Sequence, residues 1–312
     1  MGFSHGYGAA TDENEAVSNI RKAYEMGYTL FDTAEVYGTA EDPHCNEVLV
    51  GKALDDVRDK VQIVTKFGIY FDYTSDAVNK PLITDARPEE IRKSVEGFLK
   101  RLGTDHIDLY FQHRMDANTV PEIVAEVMAE LIREGKILHW GISEANEEYL
   151  RRADKVCKVT AVENRYSMMA RQYEALFPVL EELNVGLVAF SPMANGLLTG
   201  KYNKDSRFDP KLDYRSNMPQ FRQEAYEQNE NLLRALDDIA KEHQATSAQI
   251  SLAWMMCRKP WIVPIPGTRK VSRMEENAES ANIKLSADEV AKLDDMLDTI
   301  GMSEVFGGSK IR

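Results

Sequence analysis

Short apolar runs rich in β-branched and aromatic residues alternate along this chain with longer segments whose apolar residues recur at helical spacing. That alternation constrains the fold most, because strand–helix–strand units build parallel sheets. Residues 28–31, 61–67, 107–112, 137–142, 159–163, 187–190 and 261–265 read as strands. The first helix opens at Asp12 and stops at Gly27, and a second covers 46–54. Pro88 and Gly103 bracket a third, with Ile91, Val95, Phe98, Leu99 and Leu102 on one face. Further helices are expected at 121–134, 147–155, 173–183, 224–243, 247–257, 272–280 and 287–299. Thr246-x-x-Gln249 and Ser286-x-x-Glu289 are capping boxes, in which side chains satisfy the first free N–H groups of a helix. Residues 195–222 read as a long polar connection.

The strands are nearly unbroken apolar runs, as expected where helices cover both faces of a sheet. No G-x-G-x-x-G follows the first strand. The pattern therefore predicts an α/β fold of the (β/α)8 TIM-barrel type with two additional helices, rather than a doubly wound sheet. A single domain over 1–312 is expected. One strand is short of eight: the opening MGFSHGYGAA holds no strand-length apolar run. Either the eighth strand is absent, which would leave unpaired edges on the strands near Tyr28 and Trp261, or the ten opening residues stand in poorly for it.

Composition narrows the partners. The 38 Lys and Arg face 51 Asp and Glu, for a net charge of −13. This opposes nucleic acid or an anionic membrane as the main partner. No apolar run reaches the roughly 18 residues that span a bilayer, and no secretory leader is read at the start. Cys45, Cys157 and Cys257 lie far apart without a CxxC, so reduced thiols and a cytoplasmic location are expected. The six histidines show no HExxH or paired spacing, so no metal site is expected.

In such barrels the chemistry sits at the carboxyl ends of the strands. Those ends carry Asp32 and Tyr37 in FDTAEVYG, Lys66 in TKFG, His113 in LYFQHR, Ser143 in WGISE, Glu163 and Asn164 in AVENRYS, Ser191 in AFSPMANG, and Gly267 to Lys270 in PIPGTRK. Singly, each has a plain structural reading: a solvated lysine, a packed tyrosine, a core histidine, a turn aspartate. As a set they bring acid, phenol, ammonium and imidazole to one mouth. An adjacent ammonium lowers a phenol from its usual pKa of about 10. A carboxylate keeps that ammonium charged, and an imidazole can hold a carbonyl oxygen. This suits proton delivery to a carbonyl oxygen as hydride reaches the carbon.

With HGYG at 5–8, FDTAEVYG, TKFG, DLYFQHR, GISE, YSMM, AFSPMANGLLTG and IPGTRKVSRMEEN in order, the chain resembles the aldo-keto reductase superfamily from residue 5 to about residue 299. The resemblance implies NADPH as cofactor and a catalytic set of Asp32, Tyr37, Lys66 and His113. It places Ser143 and Glu163 on the nicotinamide carboxamide, Phe190 against the ring, and Ser191, Met193, Asn195 and Gly196 along the pyrophosphate. Gly267, Thr268, Arg269, Lys270, Arg273, Glu276 and Asn277 would meet the adenosine phosphate. Cations beside a helix N-terminus suit a 2′-phosphate, favouring NADPH over NADH. Glu163 departs from the glutamine usual at its position. An ionised carboxylate accepts hydrogen bonds but cannot donate, and it should favour cationic NADP+ over NADPH. The family's opening hairpin and first barrel strand are missing from the resemblance.

The activity so implied is reduction of a small aldehyde or ketone by NADPH, with Tyr37 as proton donor. Alternatives are a non-catalytic NADPH-binding sensor or accessory subunit, a truncated and poorly active reductase, and a lyase forming a Schiff base on Lys66. Phe67, Tyr70, Arg114 and a lid over 202–221, tipped by Arg215, Asn217 and Met218, are expected to wall the substrate pocket. Residues 306–312 are expected to fold over the mouth. The substrate and the oligomeric state stay open.

Overall fold

The helices form where local chemistry satisfies their ends. In the computed structural model, which describes residues 2–4, 6–76 and 80–307, the Asp12 side chain accepts from the N–H groups of Asn14 and Glu15 to start α1 (Glu13–Glu25). The chain then runs through β1 (Leu30–Asp32), α2 (Cys45–Leu54), β2 (Gln62–Phe67), and a short antiparallel hairpin of β3 (Ile69–Phe71) and β4 (Leu82–Thr84). Next come α3 (Pro88–Leu102), β5 (Ile107–Gln112), α4 (Pro121–Arg133), β6 (Ile137–Ser143), α5 (Glu147–Val156), β7 (Ala161–Arg165), α6 (Phe177–Leu183) and β8 (Gly186–Phe190). Then follow α7 (Gln223–Glu242), α8 (Ser247–Arg258), β9 (Ile262–Pro264), α9 (Val271–Glu279) and α10 (Ala287–Thr299). Gly103, at φ +65°, ends α3 in the left-handed conformation that glycine adopts without penalty. Both expected capping boxes form, on α8 and α10.

Seven strands make one parallel sheet in the order β1–β2–β5–β6–β7–β8–β9. The sheet is curled, because its two edges share an interior. Leu30 of β1 and Ile265, just past β9, pack on one cluster with Val64, Leu109, Phe111, Ala161 and Val188. The helices bury their apolar stripes on the outer side in a larger core around Phe67, Phe98, Tyr110, Trp140, Leu180 and Trp254.

The expectation of seven strands holds, and β1 and β9 are the edges of the sheet among the described residues. The junction between them is covered by other means. Helix α1 packs on α9, and the Tyr28 hydroxyl donates to the Met274 carbonyl at 2.8 Å. Phe3 is buried against Ala16, Ile20 and Phe31. Gly8 N–H donates to Leu212 O and Tyr214 N–H to Gly6 O, so the opening residues pair with the long connection before α7 instead of with the sheet.

Several boundaries move by one or two residues, among them the strand expected at 159–163, which spans Ala161–Arg165. The strand expected at 28–31 begins at Leu30, because Tyr28 N–H still bonds to Ala23 O in the turn that closes α1. The helix expected at 173–183 is a 3-10 turn, Gln172–Leu176, followed by α6. Pro178 has no N–H with which to continue one helical ladder across that junction. The hairpin β3–β4 was not foreseen, since strands of three residues carry no measurable period.

Candidate active site

Strand alternation builds the site. Side chains two apart on a strand share a face. Leu30, Val64, Phe111, Ala161 and Val188 point into the curled sheet. Two residues further on, in the same order, stand Asp32, Lys66, His113, Glu163 and Phe190. Parallel pairing brings these positions to the same end of the sheet, above the apolar plug. The same rule corrects one pocket-wall expectation. Phe67 is one residue past Lys66, faces outward, and is fully buried against Tyr110 at 4.7 Å between ring centres.

Lys66 is wholly buried. Its Nζ donates to both Asp32 carboxylate oxygens at 2.6 Å, to the Thr33 carbonyl at 3.1 Å and to the Tyr37 hydroxyl at 3.2 Å. Glu163 Oε1 lies 3.3 Å from the same nitrogen. Burial alone would depress the ammonium, but Asp32 and Glu163 outweigh it and hold Lys66 above the usual lysine range. The Tyr37 and His113 rings meet edge to face, 5.7 Å apart. Burial, helped by the Arg114 and Lys66 cations, pushes His113 well below the usual histidine range, so its imidazole is neutral.

Tyr37 reverses an expectation. Lys66 does favour the phenolate, but burial is the larger effect, Asp32 and Glu163 add to it, and the phenol is pushed up to about 12. Glu163 was expected to be an ionised acceptor. Burial and the Asp32 charge, opposed by Lys66, push it up to about 8.

Ser143 is buried beside Glu163, paired with it across β6 and β7. Its hydroxyl donates to the Glu163 carbonyl at 2.9 Å and accepts from Arg114 at 3.1 Å. Arg114 also pairs with Glu144, which a second cation, Arg165, approaches at 3.4 Å. The Arg165 guanidinium lies 5.4 Å from the centre of the Phe190 ring. Sequence alone does not single out Glu144 and Arg165, because a charged residue next to a strand end reads as solvated. Asn164 alternates away from Glu163, to the other side of β7.

After β8 the backbone turns sharply, with Ser191, Ala194, Asn195 and Gly196 all at positive φ. Asn195 donates to the Tyr7 hydroxyl and accepts from Gln220. Met193 is half-buried on the edge of the outer core. Gly267 and Lys270 are exposed, and Lys270 N–H bonds to Thr268 Oγ1. Arg269, expected at the adenosine phosphate, donates to the carbonyls of Gly2 and Ala9. Arg273 pairs with Glu276 one turn along α9.

The cofactor expectation meets a physical test in the buried polar atoms. Glu163 Oε2, His113 Nδ1, Arg269 Nη2, Arg273 Nη2 and Asn277 Nδ2 are buried without a hydrogen-bond partner. Such atoms are costly unless a ligand or water satisfies them. Glu163 stands at the nicotinamide end of the expected site, Arg269, Arg273 and Asn277 stand in the segment assigned to the adenosine phosphate, and His113 stands in the catalytic set, so the residues fit the group.

Other wall expectations change. Tyr70 turns to a separate cavity of about 220 Å³ shared with Glu35, His44, Ser94 and Arg101, and its hydroxyl contacts Ser94. In the long connection, Arg215 pairs with Asp213 and lies against Tyr7, Tyr202 and Phe208, while Met218 is buried. The Asn217 side-chain amide donates to the Ser216 hydroxyl at 3.1 Å. Phe306 N–H bonds to Gln220, which docks this end of the chain on that connection. His5 and residues 308–312 lie outside the described residues. Among the described residues no helix is long and apolar enough to cross a membrane.

Comparison with known proteins agrees with this architecture. The aldo/keto reductase family pattern matches residues 1–298. A probable aldo-keto reductase of Glycine max is 36% identical over 310 residues, which is 99% of this chain and 86% of that protein. A glycerol dehydrogenase of Gluconobacter oxydans superposes with a TM-score of 0.84 at 28% identity, over 94% of this chain and 88% of its own. An aldo/keto reductase of Klebsiella pneumoniae crystallised with NADP and acetate shares the fold, with a TM-score of 0.69 at 24% identity over 91% and 86%. With the family pattern spanning nearly all of its length and a relative of this identity matched over 99% of it, the chain belongs to the aldo/keto reductase family.

Proposed function

We propose that the protein reduces the carbonyl group of a small aldehyde or ketone with NADPH. The observation that carries this reading is one buried ammonium, Lys66, held 2.6 Å from Asp32 and 3.2 Å from the Tyr37 hydroxyl, with His113 edge-on to the same phenol. Ser143, Glu163 and Phe190 would hold the nicotinamide end of the cofactor. Ser191, Met193, Asn195 and Gly196 would follow its phosphates, and Gly267, Thr268, Arg269, Lys270, Arg273, Glu276 and Asn277 its adenosine phosphate. Bound there, NADPH supplies the hydride that adds to the carbonyl carbon.

The rest is the work of this chain. His113, neutral, positions the carbonyl oxygen near the phenol. Tyr37 keeps its proton throughout the neutral range, which a donor requires, and gives it to the oxygen as negative charge develops there. Lys66 stabilises the phenolate left behind, and Asp32 keeps Lys66 charged and in place. A Schiff-base role for Lys66 needs a neutral amine, and the Asp32 carboxylate at 2.6 Å opposes that.

The test is NADPH oxidation against a panel of aldehydes and ketones, with Tyr37→Phe as control. The variant should lose about 10²–10⁴-fold in turnover while binding NADPH as before. A variant that keeps about a tenth of the rate or more contradicts the assignment.

A further inference from the structure

Two carboxylates share one ammonium at the centre of the site. Asp32 takes Lys66 with both oxygens at 2.6 Å, while Glu163 reaches it with one oxygen at 3.3 Å and leaves the other buried and unpartnered. Only Asp32 is therefore fully matched to the cation. With Tyr37 neutral, the cluster of Asp32, Glu163 and Lys66 carries no net charge when Glu163 holds a proton, and one negative charge when it does not. The groups that set this balance come from every neighbouring element. They are Asp32 and Tyr37 on and after β1, Lys66 on β2, and His113 and Arg114 after β5, with Glu144 after β6 facing Arg114. On the other side, β8 presents Val188 to Glu163 and adds no charge.

Resting on the reading that the site binds NADP(H), we infer that Glu163 is a specificity-determining residue that selects between reduced and oxidised cofactor through its own protonation. Protonated, the carboxyl offers a donor and an acceptor, as an amide does, and the cluster is neutral beside a neutral dihydronicotinamide. Ionised, it only accepts, and its negative charge favours the nicotinamide cation. NADPH binding therefore draws a proton onto Glu163, and NADP+ binding expels it. Burial and Asp32 set the carboxyl near 8, so the exchange falls just above neutrality.

The test is binding, not turnover. Dissociation constants of NADPH and NADP+ are measured by titration from about pH 6 to about pH 9.5 on the wild type and on Glu163→Gln. The 2′-phosphate, which titrates near pH 6, is common to both ligands and cancels in their ratio. In the wild type, Kd for NADPH divided by Kd for NADP+ should climb about tenfold or more across this range, and in Glu163→Gln it should stay level. A level ratio in the wild type, or an equal climb in the variant, overturns the inference. If neither ligand binds at any pH, the NADP(H) reading fails instead. Calorimetry on the wild type alone, in two buffers of different ionisation heat, gives an answer that does not depend on the variant folding. Proton uptake with NADPH and release with NADP+ near pH 8 are expected, and equal heats in the two buffers overturn the inference.

Discussion

Lys66 has no contact with water, and its charge exists only because oxygens from β1, the turn after it and β7 surround it. Removing one partner of a buried ion pair costs about 3–5 kcal/mol, because the charge left behind is uncompensated. Lys66→Met should therefore destabilise the fold. The loss is expected to be small in acid, where Glu163 is protonated, and to grow with pH as the unfolded chain ionises Glu163 freely while burial opposes that in the folded variant. Melting temperatures of variant and wild type at acidic and alkaline pH check this, and a difference independent of pH would contradict it. The same crowding accounts for Tyr37. A cation 3.2 Å away does less to the phenol than loss of water does, so the phenol holds its proton and is not acidified.

Individual elements carry their own constraints. In β6, Gly141 leaves room for its neighbours: a Cβ there would lie 2.4 Å from the Ala161 carbonyl oxygen and 2.4 Å from the Phe111 ring. The carbonyl belongs to the paired strand β7 and cannot withdraw. Gly141→Ala is expected to cost about 1–3 kcal/mol or more, measurable as a lower denaturant midpoint at unchanged slope. A second constraint joins α2, α3 and the turn after β1. Glu47 accepts from Thr65 and Arg101, and Glu35 accepts from Gly68 N–H and Ser94. Burial, with Glu47 adding to it, pushes Glu35 up to about 8, and burial, opposed by Arg101, pushes Glu47 up to about 7. Their folded values lie above the unfolded ones, so the folded chain holds protons that the unfolded chain has lost. Stability from these groups is full below the ordinary carboxyl range and is lost as pH rises toward 7 and 8. The melting temperature should fall between about pH 5 and about pH 9, and Glu35→Gln should fall less steeply. An unchanged slope in that variant would remove Glu35 from the explanation.

Across the whole molecule, one residue ties the ends of the curled sheet together. Arg269, after β9, donates to the carbonyls of Gly2 and Ala9, and its own carbonyl accepts from Asn19 of α1. Hydrogen bonds from a charged donor contribute about 1.5–3 kcal/mol each where buried. Arg269→Ala should free residues 2–10 before it unfolds the barrel. Hydrogen exchange and limited proteolysis there should quicken, with protection on β5 and β6 retained. Equal loosening of β5 and β6 would show that the arginine supports the barrel itself.

Much of this was legible beforehand, because it depends on local geometry. Helical and strand periods, proline starts, glycine stops and capping boxes act within a few residues, and they placed every strand of the parallel sheet. The carboxyl ends of those strands then gave Asp32, Lys66, His113 and Glu163 without any knowledge of the curl. What only the tertiary structure decided involves distance along the chain and loss of water. Glu163 on β7 became a second counter-ion of Lys66 on β2, and Arg269 was committed to the opening residues. Phe67 and Tyr70 left the pocket wall, and burial outweighed the cation at Tyr37. Such outcomes follow from how the sheet closes and which groups it strips of solvent, and no pattern of neighbouring residues encodes that.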